Sequence, residues 1–205
     1  MEHIVYVVDD DDAVRQSVIG LLESAGLNAI GFSSAEAFLQ YRFEDLPSCV
    51  ILDMQMPAIS GFEVADALKD SGREIPIIFL TGHGTIPMSV RAIKGGAYEF
   101  LTKPVESNAL IDAIESALQL AENNAVRNKE HYALKQRHLS LTPREHEVLE
   151  LTITGKLNKQ IAAELGVSEI TVKVHRRRVM EKMQVRSVAE LVRAVERLTK
   201  SQPAE

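Results

Sequence analysis

The sequence predicts an α/β fold, a doubly wound parallel sheet of five strands, joined through a helical linker to a small all-α domain of four helices. Three observations predict it. Up to about residue 120, short apolar runs alternate with longer amphipathic stretches, the pattern of βα units feeding a parallel sheet. Beyond Leu141 only helical spacing and helix-capping signals remain. The charge divides with the pattern: residues 1–120 hold seven Lys/Arg against eighteen Asp/Glu, a net of −11, and the remainder sixteen against eleven, a net of +5. The mildly acidic total of −6 therefore hides a basic second part, as expected where one end of a chain meets polyanions. A length of 205 residues with 45% hydrophobic content suffices for one large domain or two small ones, and two is the expectation.

The apolar runs Ile4–Val8, Ala29–Phe32, Cys49–Leu52, Ile75–Leu80 and Tyr98–Leu101 read as the strands. Between and after them, Asp11–Ser24, Ser34–Tyr41, Ser60–Asp70, Ile86–Lys94 and Glu106–Ala121 carry apolar residues at helical spacing. Ser33 with Glu36, and Ser60 with Glu63, stand at capping-box distance. Residues 121–138 are polar, free of Gly and Pro and compatible with a linker helix that extends the fifth. Thr142-Pro143-Arg144-Glu145 then reads as a capping box with Pro at the first helical position, followed by caps at Asn158, Ser168 and Ser187 with Glu190. The single cysteine, Cys49, opens an apolar run and reads as a buried, inert thiol, so a disulfide framework or cysteine metal cluster is excluded. No basic region precedes the first apolar run and no run approaches bilayer length, so the expectation is a soluble cytoplasmic protein with no membrane partner.

In an open parallel sheet the site lies beyond the carboxyl ends of the strands. Here those ends carry Asp9-Asp10, Asp53, Thr81 and Lys103-Pro104. If the first and third strands are neighbours, three carboxylates converge and their repulsion calls for protonation or a cation. Oxygen ligands without His or Cys favour Mg2+ or Mn2+ over zinc. An aspartate beside such a cation can attack a phosphoryl group, with Lys103 as a second positive charge and Thr81 as a hydroxyl donor to a phosphoryl oxygen. Each residue alone also has an ordinary reading: helix caps for Asp9 and Asp10, a turn residue for Asp53, a solvated lysine for Lys103.

The segments VVDDDDAVR, LDMQMP, FLTGHG and EFLTKP resemble the receiver domain of two-component response regulators over roughly residues 1–120. The resemblance implies the flavodoxin-like receiver fold. It implies Asp53 as phospho-acceptor, Mg2+ held by Asp10, Asp53 and the backbone carbonyl of Gln55 with Asp9 contributing through water, and Thr81 and Phe100 as a coupled switch pair. Phe100 reads equally as a half-buried sheet aromatic. The resemblance also implies a cis Lys103–Pro104 bond, where the sequence alone gives a proline turn. A flavin site is disfavoured by four carboxylates after the first strand, and a dinucleotide site by the missing Gly-x-Gly-x-x-Gly. A haloacid-dehalogenase-like phosphatase wants a second aspartate where Gln55 stands.

From Asn158 to Met183 the sequence reads helix, tight turn at Gly166-Val167-Ser168, second helix, the arrangement of a helix-turn-helix. On a wheel of about 100° per residue, Val172, Val179 and Met183 share one face with His175 and Met180 at its borders, while Lys173, Val174 and Arg177 lie on the other side, flanked by Arg178. That outward face suits phosphate, guanine and a thymine methyl; it also suits a solvated surface whose charges complement the helix dipole. His175 reads as a packing and hydrogen-bonding residue rather than a metal ligand.

LTPREHEVL, NKQIAAELGVSEITVKVHRRRVMEKM and VRSVAELV resemble the LuxR-type domain of NarL/FixJ regulators, and the whole is FixJ-like. The resemblance implies base contacts from Lys173, Val174 and Arg177, with Thr171, His175, Arg176, Arg178 and Lys159 near phosphates. It also implies a last helix, Ser187–Thr199, that pairs protomers on DNA, although its Val188, Leu191, Val192, Val195 and Leu198 fit an ordinary core as well.

The expectation is a receiver at 1–120, a helical linker at 121–138 and a LuxR-type DNA-binding domain at 139–205. A sensor histidine kinase phosphorylates Asp53, which controls homodimerisation and binding to double-stranded promoter DNA, with RNA polymerase as a further partner. The receiver assists its own phosphoryl transfer and dephosphorylation but is no turnover enzyme. The rivals are a metal-dependent phosphohydrolase and a signalling protein whose helical end binds protein or RNA.

Overall fold

The structure, a computed structural model, describes residues 2–200. The chain divides into two compact units, at 1–126 and 127–205. The end of the expected DNA-binding domain, 201–205, lies outside the described residues.

The first unit runs β1 (Ile4–Val8), α1 (Asp12–Ser24), β2 (Ala29–Phe32), α2 (Ala35–Gln40), β3 (Ser48–Leu52), α3 (Gly61–Asp70), β4 (Ile77–Thr81), α4 (Ile86–Gly95), β5 (Glu99–Thr102) and the start of α5 (Ser107–Leu139). The five strands form one sheet in the order β2-β1-β3-β4-β5, every pairing parallel. A parallel sheet covered on both faces needs apolar residues at both parities, and β1, β3 and β4 are buried at every position. Tyr6, Val8, Val50, Leu52 and Phe79 join α2, α3 and α4 through Phe38, Val64, Leu68 and Ala92. Val5, Val7, Ile51, Ile78 and Leu80 join α1 and α5 through Val18, Leu22, Leu110 and Ile114. Each fully buried aliphatic side chain contributes roughly 1.5–3 kcal/mol. Cys49 belongs to the second cluster, and burial pushes its thiol up to about 12, so it stays protonated and inert.

Two local expectations need correction here. The cap of α2 is Ser34, whose Oγ accepts from the Ala37 backbone N–H at 3.2 Å, and not Ser33. Phe32 still pairs with Val8 in the sheet, so the chain turns only afterwards and places Ala35 and Phe38 on the core. β4 begins at Ile77, because Pro76 has no N–H to donate to the ladder; its carbonyl accepts from Val50 at 3.0 Å. The Ser60–Glu63 capping box forms, and Lys103–Pro104 is cis.

In the second unit the end of α5 is followed by α6 (Pro143–Ile153), α7 (Asn158–Leu165), α8 (Glu169–Met183) and α9 (Val188–Lys200). The Thr142–Glu145 capping box forms with Pro143 at its expected place, and the Glu145 carboxylate also accepts from Lys182 Nζ at 2.6 Å, tying α6 to α8. α7 ends at Gly166 in the left-handed conformation, φ +64°, which turns the chain into α8 under the Ser168 cap. Asn158 is not a cap but the first helical residue: Gln160 accepts from the Leu157 backbone, and the Asn158 Oδ1 accepts from Arg176 at 2.8 Å. Val179, Met183, Leu149, Leu191 and Leu134 form one core cluster, with Val195 and Leu198 packed on it; Val148, Ile161 and Val172 form another. The ordinary-core reading of the last helix therefore holds for those α9 residues.

Candidate functional site

Four strand ends build an acidic crevice. Val8 is in register with Leu52, and Thr81 with Thr102 two residues further along, so the chains leave the sheet at the same edge. The ladder continues one step into the loops: Asp53 N–H donates to Val8 O at 2.9 Å, and Lys103 N–H to Thr81 O at 2.8 Å. Asp9, Asp10 and Asp53 each offer a carboxylate oxygen within 4.8 Å of the others. Lys103 Nζ bridges two of them, donating to Asp9 Oδ2 at 2.6 Å and Asp53 Oδ2 at 3.0 Å. Asp9 and Asp53 are buried, whereas Asp10 is exposed at the mouth. Burial pushes the Asp9 carboxyl above its ordinary range despite Lys103. Burial pulls the Lys103 ammonium down, but its hydrogen bonds and the charges of Asp9 and Asp53 outweigh this and hold it above its usual value.

The four consecutive acids divide their work. Asp11 caps α1, accepting from Ala13 and Val14, and Asp12 pairs with Arg15, which leaves Asp9 and Asp10 for the crevice. Gln55 N–H donates to Asp53 Oδ1 at 3.2 Å. Thr81, fully buried, accepts from His83 N–H at 3.3 Å, which leaves its own hydroxyl hydrogen available. Phe100 is half-buried against the first cluster.

On α8 the buried face carries Val172, Val179 and Met183, as the wheel requires. Lys173, Val174, Arg177 and Arg178 are exposed, as is Lys159 on α7, while Thr171 and His175 are half-buried. Two placements differ from a free basic surface. Arg176 is half-buried and bonded to Asn158, and Arg177 Nε donates to Glu181 one turn on at 2.7 Å. His175 is half-buried, and its Nδ1 has no hydrogen-bond partner.

Residues 5–115 match the family described as response regulator receiver domain, and residues 139–195 that described as bacterial regulatory proteins, luxR family. The response regulator protein TodT of Pseudomonas putida is 48% identical over 201 residues, which span 97% of this chain and 87% of the relative. The chain belongs to the NarL/FixJ response regulators. The transcriptional regulatory protein FixJ of Bradyrhizobium diazoefficiens is 42% identical over 193 residues, 92% of each chain. Among solved structures, the response regulator StyR is 49% identical with a TM-score of 0.84, covering 96% of this chain and 99% of its own. Full-length FixJ from B. japonicum is 41% identical with a TM-score of 0.56, covering 96% and 97%. The protein is thus a two-component regulator of transcription: its receiver implies a histidine kinase partner and its LuxR-type domain implies DNA binding.

In this response regulator two residues that hold the receiver crevice escape sequence reading. Arg15 is 9% exposed; its Nη1 donates to the Asp9 carbonyl at 2.6 Å while Nη2 pairs with Asp12. Gly61 opens α3 directly against the loop that follows β3, so a Cβ there would lie 2.4 Å from the Asp53 carbonyl oxygen and 2.9 Å from Met54 Cα. Only the second left a trace in the sequence, a glycine following the Ser60 cap where helix formers are preferred. Among the described residues no helix is long and apolar enough to cross a membrane.

Proposed function

We propose that a sensor histidine kinase phosphorylates Asp53 and that this controls homodimerisation and sequence-specific binding to promoter DNA. The observation that carries the reading is Lys103 Nζ bridging Asp9 and Asp53 beside the exposed carboxylate of Asp10. The donor set is all hard oxygen, which fits Mg2+, with Mn2+ an alternative; Asp10, Asp53 and the Gln55 carbonyl would hold the ion and Asp9 would act through water. When bound, the ion supplies neutralising charge to the phosphoryl oxygens.

The Asp53 carboxylate attacks phosphorus, the P–N bond to the donor's histidine breaks, and the imidazole nitrogen takes up a proton. Lys103 passes from a carboxylate partner to a phosphoryl oxygen, and Thr81 donates its free hydroxyl hydrogen to another. Because Thr81 leads into the loop before α4, the bond draws that loop inward, and Phe100 follows as the switch partner. The receiver assists its own transfer and dephosphorylation but turns over no external substrate; Gln55 stands where a phosphatase would need a second acid.

On the DNA side, Lys173, Val174 and Arg177 read bases, and Lys159, Thr171, His175, Arg176 and Arg178 lie toward phosphates, Arg176 only after leaving Asn158. The working boundaries are a receiver at 1–120, a linker at 121–138 and a DNA-binding domain at 139–205, acting in the cytoplasm with RNA polymerase downstream. Intact mass after incubation with acetyl phosphate tests the first step. One phosphoryl adduct that needs Mg2+ and is absent from Asp53→Ala is expected; an unchanged adduct in that variant overturns the assignment.

A further inference from the structure

The outward side of α8 carries an apolar residue that the basic pattern does not include. Ile170 is 74% exposed, more than Val174 at 45%. It sits in the first turn of α8, one turn ahead of Val174. At about 100° per residue, Ile170, Lys173, Val174 and Arg177 fall within one sector of about 100°, opposite the buried face of Val172, Val179 and Met183.

A single exposed isoleucine is ordinary on a protein surface. At this position, though, the local structure has no use for it. The helix start is already satisfied by Ser168 Oγ, which accepts from the Thr171 N–H at 3.1 Å, and the core is filled from the other side of the helix. A β-branched residue is also a poorer helix former than alanine. Helical side chains lean toward the N-terminus, so Ile170 projects past the Ser168 end of α8. That is the end a helix-turn-helix presents to base edges.

We infer that Ile170 is a sequence-reading residue whose branched side chain packs on a thymine C5-methyl in the major groove, beside the bases read by Lys173, Val174 and Arg177. The thymine methyl is the apolar feature of the major-groove base edges, and the exposed cations around Ile170 bring duplex DNA, rather than an apolar protein surface, to this face. The inference rests on the proposed seating of α8 in the groove and adds a residue and a base atom to it.

The test pairs a side-chain deletion with a methyl deletion. The full chain, phosphorylated with acetyl phosphate, selects a preferred site from a randomised duplex library. Each thymine of that site is then replaced in turn by uracil, which keeps base pairing and loses the methyl. At one thymine of each half-site, uracil is expected to weaken the wild type about fourfold, the effect of losing one buried methyl, and Ile170→Ala by less than about 1.5-fold. Ile170→Val should retain part of the discrimination, and both variants should keep the wild-type salt dependence. Equal uracil effects in wild type and Ile170→Ala at every thymine would overturn the inference while leaving DNA reading intact. Failure of the wild type to select any duplex would instead remove the groove seating, and the inference with it.

Discussion

The receiver and the LuxR-type domain handle charge in opposite ways. The receiver draws three carboxylates from two strand ends into one crevice, two of them buried, and balances them with a lysine from a third strand end. The LuxR-type domain lays its charges along one exposed helix within Lys173 to Arg178. Phosphoryl transfer needs charge removed from water, and only sheet topology brings such groups together against their repulsion. Groove reading needs accessible charge at regular spacing, which a single helix supplies. Substitutions in the crevice should therefore disturb stability and function together, and those on the helix face should separate the two.

The sharpest break in this comparison is Lys103→Met against Arg177→Met. Removing one partner of a buried ion pair costs roughly 3–5 kcal/mol. The crevice is open at Asp10, so about 3 kcal/mol is expected for Lys103→Met, read as a lower urea midpoint of the receiver, with millimolar Mg2+ restoring part of it and phosphorylation lost. Arg177→Met removes an exposed intrahelical pair with Glu181, and its midpoint should match the wild type while DNA affinity falls. A stability loss in both variants would end the distinction.

A pair of glycines sharpens it within the receiver. Gly61→Ala drives a Cβ into the Asp53 and Met54 backbone, which has no rotamer to yield, so about 2–3 kcal/mol is expected together with slower phosphorylation. Gly20, exposed in the interior of α1, has nothing within 4 Å of the point a Cβ would occupy, and Gly20→Ala should stabilise by about 0.5–1 kcal/mol through helix propensity with phosphorylation unchanged. Urea midpoints and acetyl-phosphate labelling rates check both.

These residues mark how far the sequence reaches. β1, β2 and the strand-end positions of Asp9, Asp53, Thr81 and Lys103 were legible because apolar runs in a parallel sheet end abruptly in polar residues. So were the Thr142 and Ser60 boxes, where two side chains must agree at fixed spacing. Adjacent serines gave no such agreement, and the α2 cap fell on Ser34. Asn158 looked like a cap because its side chain suits one, yet Arg176, eighteen residues on, takes its oxygen. Arg15 and Gly61 act through a backbone carbonyl and a close approach, neither of which leaves a periodic signal.

Acid should then affect the two units differently. In the LuxR-type domain the Lys182 hydrogen bond, with those of Thr142, lowers the Glu145 carboxyl to about 2. A depressed folded-state value contributes stability that is complete above the unfolded value near 4.5 and lost as pH falls toward 2. Because Glu145 is covered by its partners near the domain surface, about 2 kcal/mol is expected, and Lys182→Met should remove most of that slope. In the receiver burial raises Asp9, so its ionised form opposes folding, and that opposition fades as pH falls. Hydrogen exchange followed between about pH 5 and pH 3 should show α6 losing protection, measured against intrinsic rates, before β1 does; the reverse order would contradict both assignments.

The smallest effect comes from the two non-glycine residues with positive φ among the described residues, Ala58 at 65° and Gln184 at 56°. An L-residue in this region costs about 1–2 kcal/mol, and glycine returns about 0.5–1 kcal/mol of that through its freer unfolded chain, so each glycine substitution should stabilise by roughly 0.5 kcal/mol. The two should differ in function. Gln184 closes α8 through N–H bonds to Glu181 and Met180, at the end of the helix far from Ile170, and Gln184→Gly should leave DNA affinity unchanged. Ala58 lies in the loop that leads from Asp53 into α3, where Gly61 abuts the Asp53 and Met54 backbone. There the alanine limits the backbone more than glycine would, so Ala58→Gly should slow phosphorylation by acetyl phosphate even as the urea midpoint rises. An unchanged rate would mean that Gly61 and the ladder bond from Asp53 to Val8 position the acceptor without help from the loop between them.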